Sequence, residues 1–185
     1  MTKSVFDPSS KFLDPERILF AAGLGAGHAF ADLGAGSGYY SLAGAKIVGE
    51  QGVVYSVDVL ETALDHIAAE SRLKNVRNIK TLACDLEQAN ACKQIPTGGV
   101  DVVLLSNITH QITNRQNLYA ECYRMLKTGG KLVVLEWNDH HGPLGPLQTH
   151  RVSESDISAL AKAASLKPAG KLEVDSYHYG LMFIK

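Results

Sequence analysis

The chain has 185 residues, 45% of them hydrophobic and 20% charged, with a formal net charge of −1. That is enough chain for one well-buried core and too little for two. The near-neutral balance excludes a bulk electrostatic grip on nucleic acid, and no apolar run approaches membrane-spanning length.

The opening stretch MTKSVFDPSSKF lacks the apolar segment of a secretory signal and reads as an irregular arm, with a turn at Asp7-Pro8-Ser9-Ser10. Asp14 then Pro15 reads as an N-cap and first helical residue, and the helix ends near Gly23. Residues 29–33 form a first strand, followed by glycines at 34, 36 and 38 and a helix from Tyr39 to Val48. VVYSVD (53–58) is a second strand, ETALDHIAAESRLK (61–74) an amphipathic helix, and IKTLAC (79–84) a third strand. VDVVLLSN (100–107) is a near-continuous apolar run, the pattern of a strand buried on both faces. A helix over 115–126 stops at Thr128-Gly129-Gly130, and KLVVLEWN (131–138) is the fifth strand. After a Pro/Gly loop, Ser153 opens a helix to about Ala164, and residues 171–176 and 177–185 are adjacent strand-like runs.

Alternating strands and helices predict an α/β doubly wound sheet of seven strands, built from right-handed crossovers, as a single domain over residues 1–185. The final two runs have no helix between them, so the last strand is expected to be antiparallel. That brings Tyr177, His178 and Tyr179 to the carboxyl edge of the sheet, with His178 facing away from the two tyrosines. Three cysteines, Cys84, Cys92 and Cys122, show no paired spacing and fit a reducing cytoplasm.

In such sheets ligands bind beyond the carboxyl ends of the strands. The residues gathered there are Asp32 and the glycines, Asp58, Asp85, and Ser106, Asn107 and His110. A dinucleotide fingerprint needs glycine where Tyr39 stands, and a P-loop needs Gly-Lys-Ser/Thr at the helix start. Asp32 would also repel a pyrophosphate and welcome a cation. Any one acid after a strand is more often a cap or turn residue, but three in register suit an adenosine: Asp58 for a ribose diol, Asp85 for an exocyclic amine. With a cationic substituent near Asp32, S-adenosylmethionine fits.

The sequence resembles the class I S-adenosylmethionine-dependent methyltransferases of the seven-stranded fold, in ADLGAGSG, VVYSVDV, ACDLE, DVVLLSNITHQ and LKTGGKLVVLE. In detail it is similar to the small ubiquinone/menaquinone-biosynthesis C-methyltransferase-like (methyltransferase type 11) proteins, which are longer at the N-terminus. The resemblance implies that Gly34, Ala35, Gly36 and Gly38 wrap the methionine and ribose portions. Asp32 serves the amino end, Asp58 the ribose, Val59 the adenine face, and Asp85 with Leu86 the adenine amine. Ser106 and Asn107 stand near the methionine portion. S-adenosylhomocysteine is the product, and the expected partner is a small-molecule methyl acceptor. No Asn/Asp-Pro-Pro-aromatic motif follows the fourth strand, which disfavours DNA bases.

Methyl transfer needs alignment and water exclusion, and a base only for a protonated acceptor. His110 leads as that base, then His178, Tyr177 and Tyr179; a packing role for His110 has equal weight. Histidines 140, 141 and 150 surround the Pro/Gly loop, but no carboxylate spacing supports a metal, and none is expected. The first 27 residues, the 139–150 loop or a second copy of the chain could complete the pocket. The alternatives are a cofactor-binding protein without transferase activity and a nucleotide-dependent oxidoreductase.

Overall fold

The computed structural model describes residues 13–139 and 144–185. The arm before Leu13, with its turn at residues 7–10, and His140 and His141 lie outside the described residues. Helix α1 (Pro15–Ala21) starts where Asp14 accepts a hydrogen bond from the Arg17 amide at 3.2 Å. Then follow β1 (Ala29–Leu33), α2 (Tyr39–Val48), β2 (Val53–Asp58), α3 (Glu61–Leu73), β3 (Ile79–Ala83) and β4 (Val100–Ser106). The second half holds α4 (Arg115–Met125), β5 (Leu126–Trp137), α5 (Glu154–Ala163), β6 (Lys167–Leu172) and β7 (His178–Ile184).

The seven strands pair in the order β3-β2-β1-β4-β5-β7-β6. All neighbours from β3 to β5 are parallel, and β7 runs antiparallel to both β5 and β6. The order reverses between β1 and β4, so the glycine loop after β1 emerges at the switch point of the sheet. Alternation divides the core in two. Phe30, Leu104, Val133 and Leu135 pack against Ile18 and Leu19 of α1 and Tyr40 and Ala43 of α2. Leu33, Val103, Leu105, Val134 and Phe183 pack with Leu118 and Tyr119 of α4 and Ile157 of α5. Each such buried Leu, Ile, Val or Phe side chain contributes about 1.5–3 kcal/mol of transfer free energy. This two-faced division decides which end-of-strand residues can meet.

Two elements differ from the sequence expectation. β5 begins at Leu126, directly from α4, and Thr128-Gly129-Gly130 lies inside an irregular stretch of strand instead of ending the helix. A Cβ at Gly130 would stand 2.9 Å from the Lys127 carbonyl and 3.0 Å from that of Val100, so the chain can crowd through only as glycine. β6 occupies 167–172, not 171–176, and holds Pro168 and Gly170, with a register shift between them. Pairing of Leu172 with Gly180 leaves residues 173–177 to make the turn, so Val174 packs on the core from the connection. Proline and an irregular register are tolerated because β6 is an edge strand.

Candidate functional site

Gly34, Gly36 and Gly38 all have positive φ, at 76°, 52° and 78°. A Cβ on Gly34 would meet Ile108 at 2.8 Å, and one on Gly38 would meet Ile67 at 2.6 Å. Around Gly36 nothing lies within 4 Å, so that glycine faces open space. The loop holds itself: the Gly34 and Ala35 amides both donate to the Val57 carbonyl, at 2.8 and 2.9 Å, and Gly38 donates to Ala35 at 2.8 Å. The Gly36 amide donates to Asp58 Oδ2 at 2.9 Å. These four amides are engaged, so the loop offers close approach and not the cluster of free donors that a phosphate requires.

The loop is one wall of a cavity of about 410 Å³. Its other described walls are Leu13, Asp32, Tyr39, Tyr40, Ser106, Asn107, Trp137 and His178. None of the described lining residues is Lys or Arg. Asp32 is 2% exposed, and its Oδ2 accepts from the Ser41 hydroxyl at 2.6 Å, which in turn accepts from Ser56 at 2.6 Å. Burial raises the Asp32 pKa from 3.8 to about 6, against the lowering pull of Ser41 and with a smaller push from Asp58. Burial likewise raises the Tyr40 hydroxyl, offset by Ser106. A buried carboxylate with neutral hydrogen-bond partners attracts a cation from the ligand.

Asp58, Val59, Asp85 and Leu86 do not line the cavity; they stand beside it at the ends of β2 and β3. Asp58 accepts from Gly36 at 2.9 Å and from the Leu60 amide at 3.0 Å, which leaves lone pairs on both oxygens. Val59 is 65% exposed, an apolar face open to a flat partner. Asp85 is exposed and accepts from the Glu87 amide at 3.0 Å, while Leu86 is buried beneath.

The candidate bases separate by sheet face. His178 lines the cavity with its ring 4.2 Å from that of Trp137. Tyr179 points to the other face, where its hydroxyl donates to the Val152 carbonyl at 2.6 Å. Tyr177 is not among the lining residues. His110 is also off the cavity, with Nδ1 2.9 Å from Oε2 of Glu136, which is 1% exposed. His150 is exposed in a short 3-10 turn, and among the described residues no group of three or more His, Cys, Asp or Glu could hold a metal. Sequence reasoning missed Trp137, Tyr40 and Asp175, which sits 2.8 Å from His178. Applying the strand-end rule to the fifth strand would have found Trp137, and the Asp-x-x-His spacing pointed to Asp175. A larger cleft of about 740 Å³ lies at the opposite end of the sheet, between Lys46, Glu50 and residues 75–78, and contains none of the predicted residues.

A family model described as "Methyltransferase domain" matches residues 31–134. Among curated proteins, the chain is 32% identical over 123 residues to the ubiquinone/menaquinone biosynthesis C-methyltransferase UbiE of Hydrogenovibrio crunogenus, covering 66% of this chain and 47% of that protein. It is 26% identical to the Marinomonas sp. UbiE over 163 residues, covering 85% and 59%. The chain thus spans about half the length of these relatives. A SAM-dependent methyltransferase from Aquifex aeolicus superposes with a TM-score of 0.85 at 24% identity, covering 97% of this chain and 99% of that one. Geranyl diphosphate C-methyltransferase from Streptomyces coelicolor, solved with Mg2+, geranyl diphosphate and S-adenosyl-L-homocysteine, superposes at 0.72 with 14% identity, covering 91% and 77%.

Proposed function

The chain belongs to the methyltransferase-domain family, in its class I S-adenosylmethionine-dependent form, and we propose that it methylates a small-molecule acceptor. The observation that carries this reading is Asp32, a buried carboxylate in a cavity whose described lining holds no Lys or Arg. The residues fit the cofactor: Gly36 leaves room on the loop, and Asp58 keeps lone pairs for a diol. When bound, S-adenosylmethionine supplies an electrophilic methyl group and leaves as S-adenosylhomocysteine. In this reading Asp32 holds the amino end, and the loop of Gly34, Ala35, Gly36 and Gly38 flanks the methionine and ribose portions. Asp58 takes the ribose hydroxyls, Val59 covers the adenine, and Asp85 with Leu86 meets its amine. Ser106 and Asn107 border the methionine portion, which leaves the Trp137 side of the cavity for the acceptor.

The protein's main contribution is alignment and exclusion of water, which supplies several kcal/mol of a bimolecular barrier. Leu13, Tyr39 and Trp137 give part of the cavity an apolar lining. We place the reaction in the cytoplasm, where the three free cysteines would stay reduced. Among the described residues no helix is long and apolar enough to cross a membrane.

Ligand-induced thermal stabilisation tests the cofactor assignment, because a ligand that binds only the folded state raises its melting temperature. S-adenosylhomocysteine should stabilise the protein; stabilisation by NAD alone would show the assignment to be wrong. Incubation with labelled S-adenosylmethionine and a metabolite extract then identifies the acceptor. Binding without label transfer to any component would mark a cofactor-binding protein without transferase activity.

A further inference from the structure

His178 opens β7 on the cavity face, and its Nδ1 lies 2.8 and 3.0 Å from the two oxygens of Asp175. A ring nitrogen facing a carboxylate carries the proton, which leaves the lone pair on Nε2. Asp175 is 3% exposed at its side chain and is held in place, because Oδ1 also accepts from the backbone amides of Tyr177 at 2.8 Å and His178 at 2.9 Å. Those two amide bonds help to hold the β6–β7 turn. The imidazole places a basic nitrogen at the cavity wall.

What Nε2 meets there is Nδ2 of Asn107 at 3.2 Å, a long hydrogen bond in which the amide donates. Asn107 has a left-handed backbone, with φ 55°, and its Oδ1 is buried with no hydrogen-bond partner among the described residues. The pair is therefore half-satisfied: the imidazole accepts one weak bond, and the amide oxygen accepts none. A ligand hydroxyl that donates to Nε2 in place of the amide would give the imidazole a stronger bond, and its oxygen would accept from the displaced Nδ2. His178 meets Asp175, Asn107 and Trp137 directly, and shares the cavity with the Asp32 carboxylate and the phenols of Tyr39 and Tyr40. This surrounding carries negative charge and disfavours an anionic acceptor.

We infer that His178, aligned by Asp175, is the base that takes the proton from a neutral hydroxyl acceptor, with Asp175 as its positioning residue. The inference rests on the reading of this cavity as a methyl-transfer site. The acceptor O–H bond breaks and its proton passes to Nε2. The freed electron pair on oxygen forms the new bond to the methyl carbon, or is delivered through a conjugated ring to a carbon that then bonds it and later loses its own proton to water. In either case the carbon–sulfur pair departs with sulfur. The positive charge lost from the sulfonium reappears on the imidazolium, beside the Asp175 carboxylate.

The test uses the full chain with para-substituted phenols, from 4-nitrophenol, about half ionised at neutral pH, to 4-methoxyphenol, which is not ionised. His178→Gln should lose about 100-fold or more in kcat on 4-methoxyphenol, the usual scale of general-base catalysis, and little on 4-nitrophenol. Its affinity for S-adenosylhomocysteine should match the parent protein. Asp175→Asn keeps an oxygen for the two amides but removes the charge, so the acid limb of the pH–rate profile should move to lower pH; Asp175→Glu should restore part of it. Nitrogen-15 NMR of the His178 ring gives a readout without turnover, with a protonated Nδ1 and an unprotonated Nε2 expected. Equal losses of His178→Gln on both phenols, a proton found on Nε2 of the neutral ring, or no methyl transfer to any phenol by protein that binds S-adenosylhomocysteine would each overturn the inference. Failure to bind S-adenosylhomocysteine would instead remove the cofactor reading, and the inference with it.

Discussion

Asp32→Asn should make the protein more stable while disabling its cavity. The rise of the Asp32 pKa from 3.8 to about 6 corresponds to about 3 kcal/mol of differential stabilisation, at about 1.4 kcal/mol per pH unit. The sign follows from linkage. The folded state holds the proton more tightly than the unfolded chain, so the carboxyl imposes no penalty below pH 3.8, a growing one up to about 6, and its full cost above. Asparagine removes the charge and keeps an oxygen to accept from Ser41, but brings an amide N–H2 that needs its own acceptor. We therefore expect a net gain of about 1–3 kcal/mol near neutral pH, shrinking to a few tenths by about pH 4. Urea unfolding at the two pH values measures it directly, and S-adenosylhomocysteine affinity should fall in the same variant. A loss of stability at neutral pH, or an equal gain at both pH values, would refute the claim that Asp32 is a charge held in the fold at a cost.

The glycines divide by what faces them. Gly36→Ala should cost only the backbone penalty, about 1–2 kcal/mol, yet sharply reduce S-adenosylhomocysteine affinity, because its missing side chain faces open space at the cavity. Gly34→Ala and Gly38→Ala should cost more in thermal or urea unfolding, since each also drives a methyl into Ile108 or Ile67. Asp58→Ala should weaken S-adenosylhomocysteine binding, measured by calorimetry, by removing the ribose partner and freeing the Gly36 amide. His110→Ala should lower stability by about 1–3 kcal/mol by leaving the buried Glu136 carboxylate short of a donor, and should change cofactor affinity little. A kcat collapse in that variant with unchanged stability would return His110 to the chemistry.

The parallel half of the sheet was legible because its strands are buried on both faces and so read as unbroken apolar runs, VDVVLLS above all. The antiparallel direction of β7 followed from chain length alone, since no helix fits between it and β6. β6 was misplaced because an edge strand needs no apolar alternation. KPAGKL carries proline and glycine, whereas Leu172 and Val174 gave the following turn the pattern of a strand. Within the site, the residues visible in the sequence were those that close strands with an acid or a glycine. Which histidine meets the cavity depended on sheet face. Residues at the ends of neighbouring strands share an edge but not a side, and Glu136 draws His110 to the α4–α5 side while Trp137, one residue on, faces His178.

The irregular edge made by β6 has a consequence for assembly. Pro168 lacks an amide hydrogen, the register slips before Gly170, and Lys167 and Lys171 place charge along the same strand. A sheet grows between molecules only where an unbroken ladder of donors and acceptors meets its like. This border breaks that ladder, so β6 is a poor place for copies of the chain to join edge to edge into a continuous sheet.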